Sequence, residues 1–313
     1  MVPRVRRGCD SQAGRKPLHH KGSGSLAPAP RDPHTTPATF ERKCATCGDI
    51  RSKVAPPARN RSPRTHAGRE RAGVLEDHFA GEVAAHYDAT SPPAPEAMVD
   101  RLAELAGAGR ALELAVGTGR VALPLADRGV DVAGIELSPD MVAVLRAKDP
   151  GGRVAVTLGD MATTRVEGTF SLVYLVYSTI GNLRTQDQQV NCVANAAAHL
   201  GPGGRFVVEV GVPSLRRLLP GEDAHLFSHA PGYVGFDRYT DLVAQQATSH
   251  HFVVREGEAR EVRTPFRYVW PSELDLMARL AGMELEHRWA GWDCAPFTGE
   301  STSHVSVWRK VGG

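Results

Sequence analysis

Several things are scarce in this chain of 313 residues. No stretch approaches the ~18 consecutive apolar residues that a membrane-spanning helix needs, so no transmembrane span is expected. No apolar core follows the basic N-terminus, so a secretory leader is not expected either. Cysteine occurs five times, at Cys9, Cys44, Cys47, Cys192 and Cys294. That is too few and too scattered for a disulfide scaffold, and it points to the reducing cytoplasm. Lysine is rare, at 6 against 31 arginines. The bias runs along the whole chain, which suggests GC-rich codons and not selection for phosphate contacts.

What is present is ordinary globular usage, with 42% hydrophobic and 23% charged residues, and that excludes global disorder. The net charge of +2 conceals an asymmetry. Residues 1–73 carry 16 Lys and Arg against 5 Asp and Glu, whereas the remainder carries 21 against 30. The first 73 residues also hold nine of the 22 prolines and show almost no apolar periodicity. Such a segment buries too little surface to offset its ordering entropy, so it is read as a disordered, dispensable tail. Two functional readings compete with that one. Cys44 and Cys47, with His34 or His66, make half of a zinc site, but no second ligand pair follows at short spacing, so no metal is expected. The basic character alternatively suits a transit peptide or a nucleic-acid arm.

Order is expected from residue 74. Leu75, Phe79, Val83 and Tyr87 recur four apart and predict a helix that Pro92 and Pro93 end. Met98, Leu102 and Leu105 predict a second, so residues 74–109 form a helical cap. From 110 to 210, short apolar runs alternate with helical segments. The runs are Ala111–Val116, Val130–Ile135, Val154–Leu158, Ser171–Tyr177 and Arg205–Val210; the helices are Val121–Arg128, Pro139–Lys148 and Gln186–Leu200. Continuous apolar runs suit strands covered on both faces, and their alternation with helices predicts βαβ units and a parallel sheet. Residues 211–262 contain an antiparallel insertion at Gly232–Gly257. Residues 263–313 supply a strand over Val262–Trp270, a helix capped by Ser272 with Leu276 and Leu280 on its apolar face, and two strands, Met283–Trp289 and His304–Arg309, that pair antiparallel.

The sharpest signal is Glu113-Leu-Ala-Val-Gly117-Thr-Gly119-Arg, between a predicted strand and a predicted helix. Glycines there permit a tight turn and close backbone approach to a ligand. Glu136 ends the next strand 19 residues beyond Gly117, where a carboxylate accepts from both ribose hydroxyls of a nucleoside-type cofactor. Gly117-x-Gly119-x-x-Ala122 also satisfies a dinucleotide fingerprint, so a nicotinamide-dependent oxidoreductase is an alternative. Three features favour a different cofactor. Asp160 ends the third strand, placed to accept from an adenine amino group, and Met161 beside it offers a soft apolar surface for the ring. Glu113 suits a cationic amino-acid moiety and would repel a diphosphate. A Tyr-x-x-x-Lys catalytic pair is lacking.

With those residues in view, the stretch from Ala111 to Pro213 resembles a class I S-adenosylmethionine-dependent methyltransferase. The likeness rests on Glu113–Gly119, Glu136, Gly159–Met161, the strand Leu172–Tyr177 and the run Leu200-Gly-Pro-Gly-Gly-Arg-Phe-Val-Val-Glu. It extends over about 240 residues once the Tyr87-Asp88 helix and the C-terminal hairpin are included. It is nearest to the branch that methylates amino sugars and natural products. The resemblance implies a doubly wound, mostly parallel seven-stranded sheet with an antiparallel C-terminal hairpin and a small antiparallel insertion. It implies that Glu113, Ala115, Gly117 and Gly119 surround the methionine part of the cofactor, that Tyr87 closes over it, and that Tyr177 faces the sulfonium and the acceptor. Ala115 replaces the first glycine of the usual loop, and modest crowding is the expected consequence.

An amine acceptor needs little beyond deprotonation, whereas a hydroxyl benefits from a base. Candidate bases are His250 and His251, with His229 behind them. Phe266, Tyr268 and Trp270 are read first as core aromatics of a strand and second as an acceptor-pocket lining, and Arg267 is either a surface ion-pair member or an acceptor anchor. Asn182 either caps a helix or touches substrate. Cys192 is read as packing, and Trp289 and Trp292 either as structural or as pocket residues. The expected partner is a small-molecule acceptor. An RNA or protein methyltransferase is the alternative within the same chemistry, and the negative balance of the folded part argues against a nucleic-acid partner. The sequence names neither the acceptor nor an oligomeric state.

Overall fold

The computed structural model describes residues 77–255 and 258–312. Leu75 and the expectations for residues 1–73, Cys44 and Cys47 among them, lie outside the described residues. Helices α1 (Glu82–Thr90) and α2 (Glu96–Ala106) come first. α1 starts later than the apolar stripe predicts. Gly81, at φ 60°, sits in the left-handed region and breaks the helical path, though Phe79 and Tyr87 still meet edge to face with centroids 6.1 Å apart.

There follow β1 (Ala111–Leu114), α3 (Ala122–Asp127), β2 (Val132–Glu136), α4 (Pro139–Lys148), β3 (Ala155–Leu158), β4 (Phe170–Leu175), α5 (Gln186–His199) and β5 (Leu200–Gly211). Next come β6 (Ala224–Ala230), β7 (Tyr233–Asp241), β8 (Gln246–Arg255) and β9 (Glu258–Arg267), then α6 (Pro271–Leu280), β10 (Met283–Trp289) and β11 (Ser303–Lys310).

The large sheet has the order β10-β11-β5-β4-β1-β2-β3. β1 to β5 pair in parallel, while β11 pairs antiparallel with β5 and with β10. This is the doubly wound, mostly parallel seven-stranded sheet with an antiparallel hairpin that was expected. Its two faces are both covered. Cys192, Val193 and Ala196 of α5 pack with Leu274 and Met277 of α6 on one side. Met98 and Leu102 of α2, Leu125 of α3 and Leu145 of α4 pack on the other. That double cover explains the continuous apolar runs: Leu112, Ile135, Leu172 and Phe206 are fully buried, and each such side chain stabilises by roughly 1.5–3 kcal/mol. The local signals agree with the helices. Ser138 caps α4 with Pro139 at its first position, and Thr185 and Gln188 form a reciprocal capping box on α5.

The second sheet is antiparallel, in the order β6-β7-β8-β9. The strand expected at Val262–Trp270 is in fact β9, which pairs with β8 along its whole length and belongs to this small sheet. Pro265 is tolerated because β9 is an edge strand. The reading of α6 also needs correction. Trp270 is its N-cap, Pro271 its first residue, and Ser272 lies inside it. Leu274, Met277 and Ala278 form the buried face, whereas Leu276 and Leu280 are exposed. The two stripes compete at the same spacing, and the start set by Pro271 together with packing on α5 selects the first.

Candidate functional site

The order of the large sheet places β1 beside both β4 and β2, so the chain leaves β1 and β4 toward opposite faces. A crevice opens at such a switch point, outside the carboxyl ends of the strands. The turns after β1, β2, β3 and β4 all reach it.

The turn after β1 is shaped by three left-handed residues, Ala115 (φ 56°), Gly117 (φ 56°) and Gly119 (φ 78°). Ala115 therefore occupies a conformation that favours glycine, at a cost of about 1–2 kcal/mol in backbone strain. Gly119 has a packing reason as well, since a Cβ there would stand 3.0 Å from Leu145 and 3.1 Å from Leu123. The end of β2 holds this turn in place. Glu136 Oε2 accepts from the Gly117 N–H at 2.8 Å, and its Oε1 accepts from the Ser138 N–H at 2.9 Å. Burial pushes the Glu136 carboxyl above its ordinary range, and the backbone N–H groups of Ser138, Gly117 and Leu137 oppose that shift.

The crevice contains a cavity of ≈ 190 Å³. Ala115, Gly117, Ile135, Glu136, Leu137, Met141, Asp160 and Met161 line its floor. Asp77, His78, Phe79 and Tyr87 reach it from the segment around α1, and Thr179, Asn182, Leu183 and Arg184 from beyond β4. Asp160 Oδ1 accepts from the Ala162 N–H at 2.8 Å, which orients the carboxylate. Three predicted contacts are absent from the walls, Glu113, Gly119 and Tyr177. Glu113 is buried behind the turn, where Tyr174 Oη donates to its Oε2 at 2.9 Å. Burial pushes the Glu113 carboxyl up to about 8, partly opposed by the Tyr174 hydrogen bond.

A second cavity of ≈ 530 Å³ adjoins the first, and Phe79, Tyr87, Thr179 and Asn182 line both. Asn182 thus stands between them. Tyr177 lines the second cavity only. Tyr177 and Ser178 are consecutive left-handed residues, at φ 56° and 58°, a strain of the kind found at binding sites. Glu209 braces them: its Oε2 accepts from the Tyr177 N–H at 2.8 Å and its carbonyl from the Ser178 N–H at 3.1 Å. The Arg120 guanidinium lies 3.7 Å from the Tyr177 ring centroid and 5.5 Å from that of Tyr87, joining the turn to α1. Asp88 fixes α1 from below, accepting from Thr118 Oγ1 at 2.6 Å and from Lys148 Nζ at 2.5 Å.

The small sheet walls the second cavity and separates the candidate bases. Successive residues of β8 point to opposite faces, so His251 lines the cavity while His250 does not. His250 instead stacks on Phe236 at 4.7 Å and is 2.8 Å from Glu261 Oε1. His229 is exposed on β6. Phe266 and Tyr268 line the cavity, whereas Trp270 does not. Arg267 lines the second cavity but is not a surface ion-pair member. It is buried, paired with Glu273 at 2.7 Å and bonded to Gln189 and Gln245, so its guanidinium ties β9 to α5 and α6. Among the described residues, no three His, Cys, Asp or Glu side chains group as a metal site.

Sequence reasoning missed Asp77, His78 and Phe79, Asn182's double position, the Glu209 brace, and Asp237, which lines the second cavity from β7. Only Glu209 carried a local signal, as the acid ending an apolar strand.

The donor set fits a nucleoside bearing an amino-acid arm. Two carboxylates, at the ends of β2 and β3, serve hydroxyl and amino donors, and Ile135, Leu137, Met141 and Met161 supply an apolar slot for a flat base. A diphosphate would meet carboxylates here and, among the described residues, no facing guanidinium or ammonium but that of Arg184.

Comparisons with known proteins agree with this chemistry. Residues 111–204 match the family model for a methyltransferase domain. The CcbJ methyltransferase of Streptomyces caelestis is 37% identical, with a TM-score of 0.67, over 76% of this chain and 100% of that one. S-adenosylmethionine-bound CalS10 of Micromonospora echinaspora, an amino pentose methyltransferase, is 25% identical over 73% of this chain and 95% of that one, with a TM-score of 0.54. A dTDP-3-amino-3,6-dideoxy-α-D-glucopyranose N,N-dimethyltransferase of Streptomyces fradiae is 33% identical over 139 residues, 42% of this chain and 54% of that protein. The corresponding 3,4,6-trideoxy enzyme of Streptomyces venezuelae is 38% identical over 98 residues, 31% of this chain and 40% of that protein. The chain thus spans about half the length of the curated relatives it matches. By its sheet order, its crevice and its likeness to CcbJ along that protein's whole length, the chain belongs to the S-adenosylmethionine-dependent methyltransferases.

Proposed function

We propose that this protein methylates a small-molecule acceptor, with the cofactor in the first cavity and the acceptor in the second. The observation that carries this reading is the junction of the two cavities at Tyr87, Phe79, Thr179 and Asn182. When bound, S-adenosylmethionine would supply an activated methyl carbon for in-line attack by an acceptor's lone pair, the new acceptor–carbon bond forming as the carbon–sulfur bond breaks and its electron pair stays on sulfur.

The residues of this chain bind, orient and exclude water. Glu136 takes the ribose hydroxyls, Asp160 the adenine amino group, and Met161 and Met141 the faces of the base. Ala115 and Gly117 let the backbone approach the amino-acid arm. Phe79 and Tyr87 cover the junction, and keeping water out strengthens every polar contact inside. Alignment of acceptor and methyl carbon is the main catalytic contribution, worth several kcal/mol. Nitrogen as the acceptor atom is supported by the relatives named for amino-sugar N,N-dimethylation. A cytoplasmic setting is supported by the small number and wide scatter of the five cysteines along the chain.

The test is transfer from methyl-labelled S-adenosylmethionine. The expected result is label in an amino-sugar nucleotide such as dTDP-3-amino-3,6-dideoxy-α-D-glucopyranose or another small amine. Label entering only RNA or protein contradicts the proposal and favours the macromolecular alternative. A second expectation concerns Asp160→Ala. Loss of one hydrogen bond to a charged group is worth about 1.5 kcal/mol, so S-adenosylhomocysteine affinity should fall about tenfold by calorimetry. Unchanged affinity would place the adenine elsewhere.

A further inference from the structure

The small sheet presents two different faces. On one face Phe236 stacks on His250 and lies 6.1 Å from Phe252. On the other, Asp237 of β7 and Ser249 and His251 of β8 line the second cavity, among Phe227, Tyr239 and Phe266. Strand pairing fixes this cluster, because Asp237 stands opposite Ser249 and Gly235 opposite His251. Gly235 has a specific reason to lack a side chain: a Cβ there would stand 2.3 Å from the Phe227 ring and 2.8 Å from Tyr233 Oη. Its absence lets Phe227 lie against the His251 ring, with centroids 5.6 Å apart, and lets Tyr233 Oη reach His251 Nδ1 at 2.7 Å.

Asp237 is the unusual member. Among the described residues, the Ser249 hydroxyl donates to it and no cation pairs with it. Arg267, the one arginine among the described residues that line this cavity, has its guanidinium committed to Glu273, Gln189 and Gln245. A half-buried carboxylate among aromatic rings is unfavourable alone and favourable with a cation, and the rings themselves attract an ammonium group. A neutral hydroxyl acceptor would leave the charge uncompensated.

We propose that Asp237 and His251 select a protonated amine as the acceptor: Asp237 holds the ammonium and His251 takes its proton. This rests on the reading above that the second cavity seats the acceptor. In the step, one N–H bond of the ammonium breaks and its electron pair stays on nitrogen. The proton bonds to an imidazole nitrogen, and the positive charge passes to the ring beside Asp237. The amine is left with the lone pair it needs as a nucleophile. The electrostatics agree. Burial holds the His251 imidazole below its ordinary range, so it is neutral at pH 7 and able to accept; Asp237 opposes this and His250 adds to it. Asp237 in turn is raised by burial and lowered by Ser249, His251, His225 and His250. Tyr233 faces His251 from β7, and on β9 the facing positions Val262 and Thr264 carry no charge.

The test uses the full chain and two probes of one shape, cyclohexylammonium and cyclohexanol, with and without saturating S-adenosylhomocysteine. Binding is followed by the NMR signals of the His251 ring, assigned as those missing in His251→Gln. The expected result is a saturable shift with cyclohexylammonium and none with cyclohexanol. Asp237→Asn keeps the side-chain shape, and it should weaken the ammonium at least tenfold while S-adenosylhomocysteine affinity stays within twofold of wild type. An equal response to both probes, no response to the ammonium, or undiminished ammonium binding by Asp237→Asn overturns the proposal. Failure of S-adenosylhomocysteine to bind the wild type counts instead against the cofactor reading, because the probe arm without it still judges the pair.

Discussion

Glu136→Ala should weaken S-adenosylhomocysteine binding by about 10²–10³-fold. The carboxylate does two things at once. It holds the glycine turn through the Gly117 and Ser138 N–H groups, and it is placed to accept from the ribose hydroxyls of a nucleoside in the first cavity. Hydrogen bonds to a charged group are worth about 1.5–3 kcal/mol each, and two of them at about 1.5–2 kcal/mol account for the factor stated. The melting temperature of the free protein should fall as well, because two N–H groups of the turn lose their partner. Calorimetric titration checks the first expectation and thermal unfolding the second. An affinity within threefold of wild type would mean that Glu136 braces the turn and touches no cofactor.

Glu113→Gln should stabilise the cofactor-free protein, and by more as the pH rises. Burial raises the Glu113 carboxyl to about 8, against an ordinary value of 4.5. The folded state therefore binds a proton that the unfolded state releases at lower pH. A raised carboxyl contributes its full stability below the unfolded value of about 4.5, and that contribution is lost as pH rises to the folded value near 8. Each pH unit between those two values is worth about 1.36 kcal/mol, so above pH 8 the difference is on the order of 5 kcal/mol. Glutamine keeps the shape and still accepts from Tyr174 Oη without ever carrying the charge. The gap between the two unfolding free energies should open between pH 4.5 and 8 and then level off. A gap independent of pH would show that Glu113 is ionised throughout and that another group compensates its charge.

Much of the fold was legible because burial on two faces writes a simple pattern. The runs that became β1, β2, β4 and β5 are predominantly apolar, broken only by single polar residues such as Glu113 and Glu209. The misreadings share a cause. Leu276 and Leu280 obey helical spacing as well as Leu274 and Met277 do, and only contact with α5 decides between them. Val262–Trp270 reads as a strand, but nothing local says that β9 lies beside β8 and not beside β5. The stripe through Phe79 and Tyr87 was real as a contact, yet Gly81 between them turns the chain away from a continuous helix.

The candidate site divides the same way. Glu136, Asp160 and Met161 lie at strand ends next to glycine turns, so their positions follow from topology. Asp77, Asn182 and Asp237 are ordinary polar residues in their local context. They meet at the cavities because α1, the turn after β4 and the small sheet converge there, and no spacing rule connects residues so far apart. The histidine pair gives the clearest case. His250 and His251 are indistinguishable in sequence, and the pleat of β8 sends one of them to the cavity and the other to the outer face beside Glu261.

The claim on which the rest depends is that the crevice at the ends of β1, β2 and β3 holds S-adenosylmethionine. Isothermal titration of the cofactor-free protein with S-adenosylhomocysteine and, separately, with NAD tests it directly. The account predicts saturable one-to-one binding of S-adenosylhomocysteine, weakened in Glu136→Ala and Asp160→Ala, and no binding of NAD. Heat from NAD alone, or S-adenosylhomocysteine binding that neither substitution weakens, would contradict it.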